Sequence, residues 1–337
     1  MTSLPDTAEN LPKSSCLGLV ENMNENGYDY SMNDKMDLAV GGQALIEGIL
    51  MKSPNWVVIA VRKQDGSIKI KKEPFKSLTK KIKILGLPIL RGVVMLIETM
   101  IIGTRALNFS ANEALDEDIP EGNDGKMQKI FTSAAFILSI IISIFLAIFL
   151  FKFIPLYLTE QLRKVFPQIA NSTILFNALD GTIRIIVFLS YIYIISCFKS
   201  FRRVFEFHGA EHKSIFAYEK GLELNVENAR GMSPYHPRCG TSFIVFALVI
   251  SIIILSFVPR HPVFYLNLLR RLTVIPLIMG VGYEVLKYTA KHMNNKLVRA
   301  MTYLGLLTQY ITAKQPDDKQ LEVALVALKT TLELEKI

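Results

Sequence analysis

Four long apolar segments restrict the fold of this 337-residue chain more than any other feature. They are residues 130–151, 183–198, 241–258 and 272–286. Two of them contain no charged side chain, and the other two carry one each, Arg184 and Glu284. A helix needs about 20 apolar residues to cross a bilayer, so the second segment spans only if its helix begins near Leu175. The pattern predicts an all-α, polytopic membrane protein, a helical bundle with about four transmembrane helices.

The composition also indicates a protein that lies in the lipid bilayer. Hydrophobic residues make up 50% of the chain and the mean hydropathy is +0.32, more than a soluble domain usually shows. The net charge is +8, but the basic residues lie between the apolar segments, which indicates membrane topology and not nucleic-acid binding. The chain has only 3 cysteines, so a disulfide framework is not expected.

Lysine and arginine are distributed unevenly along the chain. Residues 52–83 contain ten of them, residues 199–240 seven and residues 287–337 eight, whereas residues 152–173 and 259–271 contain three each. Cytoplasmic loops carry the excess of these residues. The distribution predicts a multi-pass protein of the cell membrane with both termini and residues 199–240 in the cytoplasm.

A further apolar segment, residues 84–103, carries Arg91 and Glu98. The two charges are seven positions apart, close to two helical turns, so they share one helix face. Because two charges in one span are costly, we expect an interfacial or re-entrant helix. The sequence leaves open whether this helix crosses the bilayer.

A small β-hairpin is predicted ahead of that helix. Apolar residues alternate in residues 56–61 and 67–72, on either side of Asp65 and Gly66, a dipeptide typical of hairpin turns. Many lysines surround the second strand, so we expect a basic hairpin exposed to water.

These features divide the chain into seven regions. They are residues 1–38, a disordered polar tail; 39–83, a glycine-rich segment and the hairpin; 84–129, the interfacial helix and a polar linker; 130–198, two transmembrane helices; 199–240, a His-rich loop; 241–286, two transmembrane helices; and 287–337, cytoplasmic C-terminal helices, the last one amphipathic.

The His-rich loop carries the chemistry, beginning with the motif His-x-x-Glu-His. On a helix, His208 and His212 lie one turn apart on the same face, so both imidazoles can reach one metal ion. The pattern is that of the inverted zincin helix. In such a site a divalent metal, here expected to be zinc, lowers the pKa of a bound water to about 7. Glu211 would accept the proton and act as general base.

Several residues are candidates for a third metal ligand. His236 lies in a rigid turn between two prolines, and Glu284 lies near the cytoplasmic end of the fourth apolar segment. Cys239 follows His236 by three positions but is as readily a small buried residue at a helix start. Glu219, Glu227 and Arg238 are candidates for supporting the ligands or contacting substrate. Each of these residues also has an ordinary role open to it, in hydrogen bonds, ion pairs or solvation.

Five separated motifs together resemble the YqhQ-like family. They are residues 41–48 (GGQALIEG), 207–213 (FHGAEHK), 233–242 (SPYHPRCGTS), 282–285 (GYEV) and 315–322 (QPDDKQLE). The resemblance covers roughly residues 40–330. It implies a bacterial integral membrane protein of a family whose function is unknown and which is described as a predicted metal-dependent enzyme.

The favoured function is metal-assisted hydrolysis at the cytoplasmic face of the membrane. The substrate, a peptide or a lipid-linked molecule, is suggested only by the depth of the site. The sequence leaves open a transporter or channel in which Arg91, Glu98, Glu284 and the His cluster line a polar path. It also leaves open a non-catalytic scaffold with a structural zinc site, and a homo-oligomer.

Overall fold

The computed structural model describes residues 40–115, 138–259, 261–292 and 295–335. Over these ranges the protein is a helical bundle with one small β-sheet, which confirms the predicted helical membrane fold. The predicted tail, residues 1–38, and most of the predicted polar linker, residues 116–129, lie outside the described residues.

The sheet is an antiparallel meander of four strands, β1 (Gly41–Leu45), β2 (Gly48–Lys52), β3 (Trp56–Arg62) and β4 (Ile68–Pro74). The predicted hairpin is its β3 and β4 half, with Gly66 at the turn in the left-handed region at φ +86°. The glycine-rich segment adds β1 and β2, which the sequence did not predict as strands. Their turn is tight, and Leu45 pairs directly with Gly48.

The expectation that the hairpin is exposed to water is wrong for β3. Its residues from Val57 to Val61 are all buried, because alternate side chains enter two different hydrophobic cores. Ile49, Met51 and Ala60 pack on one face of the sheet, and Leu50, Ile59 and Val61 pack on the other. Only β4, the lysine-rich strand, lies largely at the surface.

The helices are named here in chain order. They are α1 (Leu78–Lys81), α2 (Leu90–Leu115), α3 (Leu138–Val165, with a π turn at Phe149–Phe153), α4 (Pro167–Asn171), α5 (Thr173–Ser196), α6 (Lys199–Glu219), α7 (Val226–Arg230), α8 (Gly240–Ser256), α9 (Phe264–Thr273), α10 (Ile275–Lys291), α11 (Lys296–Thr312) and α12 (Asp318–Glu335). A short 3-10 helix, Lys83–Gly86, follows α1.

Within the described ranges, three helical segments are long and apolar enough to cross a membrane: α3, α5, and Phe264–Thr289, which joins α9 and α10. Helix α5 begins at Thr173, close to Leu175, where a helix long enough to cross the bilayer has to begin. The predicted third span is the apolar helix α8, which at 17 residues is shorter than the other three. Most large side chains of α3 are exposed, as expected for a helix that faces lipid.

Helix α12 covers the sheet on the side away from α2. Its residues Leu321, Ala324, Leu325 and Leu328 are buried in one core with Ile49 and Met51 of β2 and Phe207 of α6. This spacing of three and four residues is that of one helix face. The sheet therefore lies between α2 on one face and α12 with α6 on the other.

A buried polar network joins the apolar helices, and of its members only Arg184 stands out as a charge within a predicted apolar segment. Asp180 on α5 accepts hydrogen bonds from Arg184 and, at 2.7 Å, from Nη1 of Arg271 on α9. Arg184 also donates to Ser251 on α8 at 2.8 Å. Each charge is almost fully buried, so the pairing is what makes these groups tolerable inside the bundle.

Replacing Leu328 by alanine tests the packing of α12. The side chain is fully buried, so we expect Leu328→Ala to lower the free energy of unfolding by about 2–5 kcal/mol. Denaturant unfolding of the purified protein in detergent measures it. Leu222→Ala removes the same atoms at a position that is 38% exposed, and should cost less than about 1 kcal/mol. Equal costs for the two variants would contradict the packing described.

Candidate metal centre

Helix α6 carries the His-x-x-Glu-His motif, as predicted, and the motif lies in its buried half. Residues 209–217 of this helix are all buried. Gly209 allows the chain after α11 to come close, since a Cβ there would lie 1.9 Å from the carbonyl oxygen of Lys314. This close approach brings the end of α11 against His208.

Both imidazoles of the motif are oriented by backbone carbonyl groups. Nδ1 of His208 lies 2.7 Å from the carbonyl oxygen of Thr312, and Nδ1 of His212 lies 2.5 Å from that of Pro234. A carbonyl oxygen only accepts hydrogen bonds, so Nδ1 carries the proton in each ring. The lone pair of each imidazole is then on Nε2.

The two Nε2 atoms face a common point together with a thiol. Nε2 of His208 is 3.1 Å from Sγ of Cys239, which caps the N-terminus of α8. The ligand atoms of His208, His212 and Cys239 all lie within 4.8 Å of one another. Nε2 of His212 is buried, and none of the described residues forms a hydrogen bond with it that meets distance and angle criteria. Its polar neighbours are Sγ of Cys239, within 4.8 Å, and Oε2 of Glu211, at 3.7 Å. Among the described residues, these three are the ones that could hold a metal ion together.

The donor set and the orphaned nitrogen fit a zinc ion. Two imidazole nitrogens and one thiolate are ligands that zinc prefers, and catalytic zinc sites use three protein ligands with one open position. Ligand histidines usually donate their other ring N–H to a carbonyl or carboxylate, which is the arrangement of both rings here. Burial also lowers the pKa of His212, which keeps its ring neutral and able to coordinate.

Glu211 lies beside this cluster. Its Oε2 is 3.7 Å from Nε2 of His212, while Oε1 accepts a hydrogen bond of 2.9 Å from the backbone N–H of Gly42 on β1. Burial raises the pKa of Glu211, and the neighbouring imidazoles of His208 and His236 act in the opposite direction. A raised pKa suits a carboxylate that must both accept and release a proton.

His236, predicted as a third ligand, has both ring nitrogens engaged elsewhere. Its Nε2 is 3.2 Å from Oε2 of Glu219, and its Nδ1 accepts from the backbone N–H of Arg238 at 3.2 Å. The guanidinium of Arg238 also pairs with Glu219. Burial tends to raise the pKa of Glu219, but hydrogen bonds from His236 and Arg238, with their charge, hold it below its ordinary value. These three residues form a triad next to the cluster.

Glu284, the other predicted third ligand, is not among the residues that could hold a metal together with His208 and His212. Its carboxylate is held by Arg91 of α2, whose Nε donates to Oε1 at 2.6 Å. An ion pair is one of the ordinary roles that the sequence left open for Glu284. Glu227 lies in the first turn of α7, and its side chain is exposed.

The loop between α7 and α8 is fixed by residues that sequence reasoning missed. Gln309 of α11 is fully buried and bonds both backbone groups of His236, accepting from its N–H at 2.8 Å and donating to its carbonyl at 2.9 Å. Lys213 donates to the carbonyl groups of Arg230 and Met232. Backbone partners of this kind leave no motif in the sequence. Only the polar character of Gln309 inside an apolar helix could have pointed to it.

The fold and the cluster define a helical membrane protein with a buried His and Cys site beside a small sheet. The family model described as "Protein of unknown function (DUF1385)" matches residues 87–334. The chain is also 34% identical to "Uncharacterized protein YqhQ" of Bacillus subtilis (strain 168) over 307 residues, which is 90% of this chain and 95% of that protein. The chain therefore belongs to the DUF1385 family, the YqhQ-like family that its motifs resemble. No solved structure matches it.

Proposed function

We propose that this protein is a zinc-dependent hydrolase of the cell membrane. The single observation that carries the proposal is the convergence of Nε2 of His208, Nε2 of His212 and Sγ of Cys239, with the His212 nitrogen buried and unpartnered. A buried polar atom without a partner costs free energy, so its retention favours a ligand for it. In this proposal the third metal ligand is Cys239, whereas the sequence favoured His236 or Glu284.

The residues around the cluster have distinct roles in this proposal. His208, His212 and Cys239 hold the metal, and the carbonyl groups of Thr312 and Pro234 fix the two rings. A bound zinc ion would supply Lewis acidity and lower the pKa of a water molecule to about 7. Glu211, with Oε2 3.7 Å from Nε2 of His212, would accept the proton of such a water.

The site is proposed to face the cytoplasm and to act at the membrane edge. The many lysines and arginines of residues 52–83, 199–240 and 287–337 support this orientation. Helix α6, which carries the motif, begins three residues after α5, a membrane-spanning candidate. A peptide or a lipid-linked molecule near the bilayer surface is therefore the proposed substrate.

The metal content of purified variants tests the ligand set. After zinc loading and dialysis, mass spectrometry should find about one zinc per chain. His208→Ala, His212→Ala and Cys239→Ala should each lose most of it, because three protein ligands are the minimum for such a site. His236→Ala should retain zinc, since its nitrogens bond Glu219 and Arg238.

His292→Ala is a further control, because that ring bonds the carbonyl of Tyr288 at 2.9 Å. Wild-type protein without stoichiometric zinc would overturn the metal proposal. Full zinc retention by Cys239→Ala would overturn the assignment of the third ligand.

Glu211→Gln separates a hydrolase from a structural zinc site. The variant keeps the hydrogen bond to Gly42 but cannot take a proton. We expect it to retain zinc while hydrolysis of p-nitrophenyl acetate and of fluorescent casein falls by about 10²–10⁴-fold. Glu227→Gln, the same change at an exposed position, should leave the rates unchanged. Zinc-loaded wild type that hydrolyses neither probe faster than Glu211→Gln would favour the non-catalytic scaffold.

A further inference from the structure

A cavity of about 750 Å³ lies against strand β1, on the side of the strand away from Glu211 and the His and Cys cluster. Its walls come from the sheet, from the segment around α1, from α2 and from the end of α10. Gly42 belongs to this wall, and its backbone N–H is the donor to Glu211. The cavity is thus a neighbour of the His and Cys cluster, although none of the cluster residues lines it.

The charged residues that line the cavity are all basic. They are Lys52, Lys80, Arg91 and Lys287. Of these, Arg91 is paired with Glu284, whereas the three lysines form no ion pair with any residue that the structure describes. Lys52 is half-buried, with Nζ 4.1 Å from the centre of the Phe75 ring. No aspartate or glutamate of the described ranges lines the cavity.

The nearest acidic groups do not cancel this charge. Glu98 lies behind the wall, where its oxygens accept from Oγ of Ser77 at 2.9 Å and from the N–H of Leu78 at 2.6 Å. Glu284 is occupied by Arg91. Glu335 interacts electrostatically with Lys80 and also accepts hydrogen bonds elsewhere. Four cations thus meet three engaged carboxylates, and the positive charge that remains favours an anion.

The rest of the cavity wall is mixed. It has an apolar part that includes Leu50, Phe75, Met95 and Ile102, and neutral polar side chains such as Gln43, Ser53 and Thr99. A site with clustered cations and an apolar wall fits a ligand that has both an anionic head and a hydrocarbon part. An inorganic anion alone would leave this apolar surface uncovered.

The cavity lies where the end of a membrane-spanning candidate meets an amphipathic segment. Tyr283 and Lys287 are in the last two turns of the apolar stretch Phe264–Thr289. The segment that carries Lys80 also exposes large apolar side chains, both between its lysines and just after them; they are Leu78, Ile82, Ile84, Leu87 and Leu90. Exposed apolar residues interleaved with lysines are typical of a segment that lies in the membrane interface.

We propose that this cavity binds the phosphate head group of an anionic phospholipid, with the adjoining acyl chain against the apolar wall. The lysines would attract the phosphate, as basic residues at a membrane surface do. The inference goes beyond the proposed hydrolysis, because it requires neither zinc nor catalysis. A lipid head group seated here would lie directly across β1 from Glu211.

Lipid binding to the full-length protein tests this site. The protein is delipidated in a neutral detergent with a chelator present, and fluorescent phosphatidylglycerol is displaced by unlabelled phosphatidylglycerol, phosphatidylcholine or glycerol 3-phosphate. We expect phosphatidylglycerol to bind at least about tenfold more tightly than either competitor. The double substitution of Lys52→Gln and Lys287→Gln should weaken its binding by about tenfold or more, since two cations near the phosphate are removed.

The matched control is the double substitution of Lys69→Gln and Lys72→Gln, which removes the same charge from exposed positions of β4. It should change the affinity less than about twofold. Lys287→Gln alone, at an exposed residue, shows the effect even if the change at Lys52 impairs folding. Equal affinities for the two phospholipids, or equal losses in the cavity and control variants, would overturn the proposal. Displacement by glycerol 3-phosphate as strong as by the lipid would overturn it in favour of a soluble phosphate compound.

Discussion

The burial of a polar helix face is the constraint on which the rest of this structure depends. Half of α6 lies between the sheet, α12 and α11, yet it brings Glu211, His212 and Lys213 into that interior. Buried polar groups need partners, and nearly all of these come from backbone atoms. Gly42, Pro234, Thr312 and Met232 each supply one. Helix α6 therefore holds three parts of the chain against it: the glycine-rich strand β1, the loop before α8 and the end of α11.

This arrangement explains why motifs distant in sequence lie together. The glycine-rich strand must come close to α6, because a Cβ at Gly42 would lie 2.8 Å from Cγ of Glu211. The loop that contains His236 is braced by Gln309, so Cys239, three positions later, is held in a fixed position at the start of α8. A mobile loop could not keep a thiol 3.1 Å from the Nε2 of His208.

Local patterns were enough to predict part of the fold and of the candidate site. Helical spacing predicted the shared face of His208 and His212, and the Asp65 and Gly66 turn predicted the β3 and β4 hairpin. Apolar length predicted the membrane helices. Each of these features depends on residues close in sequence.

Long-range pairing accounts for what the sequence did not predict. Arg91 pairs with Glu284 across 193 positions, and no local pattern could decide between this ion pair and a metal as the partner of Glu284. Cys239 was as readily a small buried residue, because only the fold brings His208, 31 positions earlier, to its thiol. The sequence predicted residues 57–61 to be exposed to water, since nothing in their alternation indicates that α2 covers one face of the strand and α12, over 250 residues later, the other.

The coordination of zinc in the loaded protein tests the central claim most directly. X-ray absorption at the zinc edge resolves sulfur from nitrogen or oxygen ligands by distance. We expect one sulfur at about 2.3 Å and nitrogen or oxygen ligands at about 2.0–2.1 Å. We also expect the sulfur contribution to vanish in Cys239→Ser. A spectrum with only light-atom ligands in the wild-type protein would contradict the convergence of the two imidazoles and the thiol on one ion.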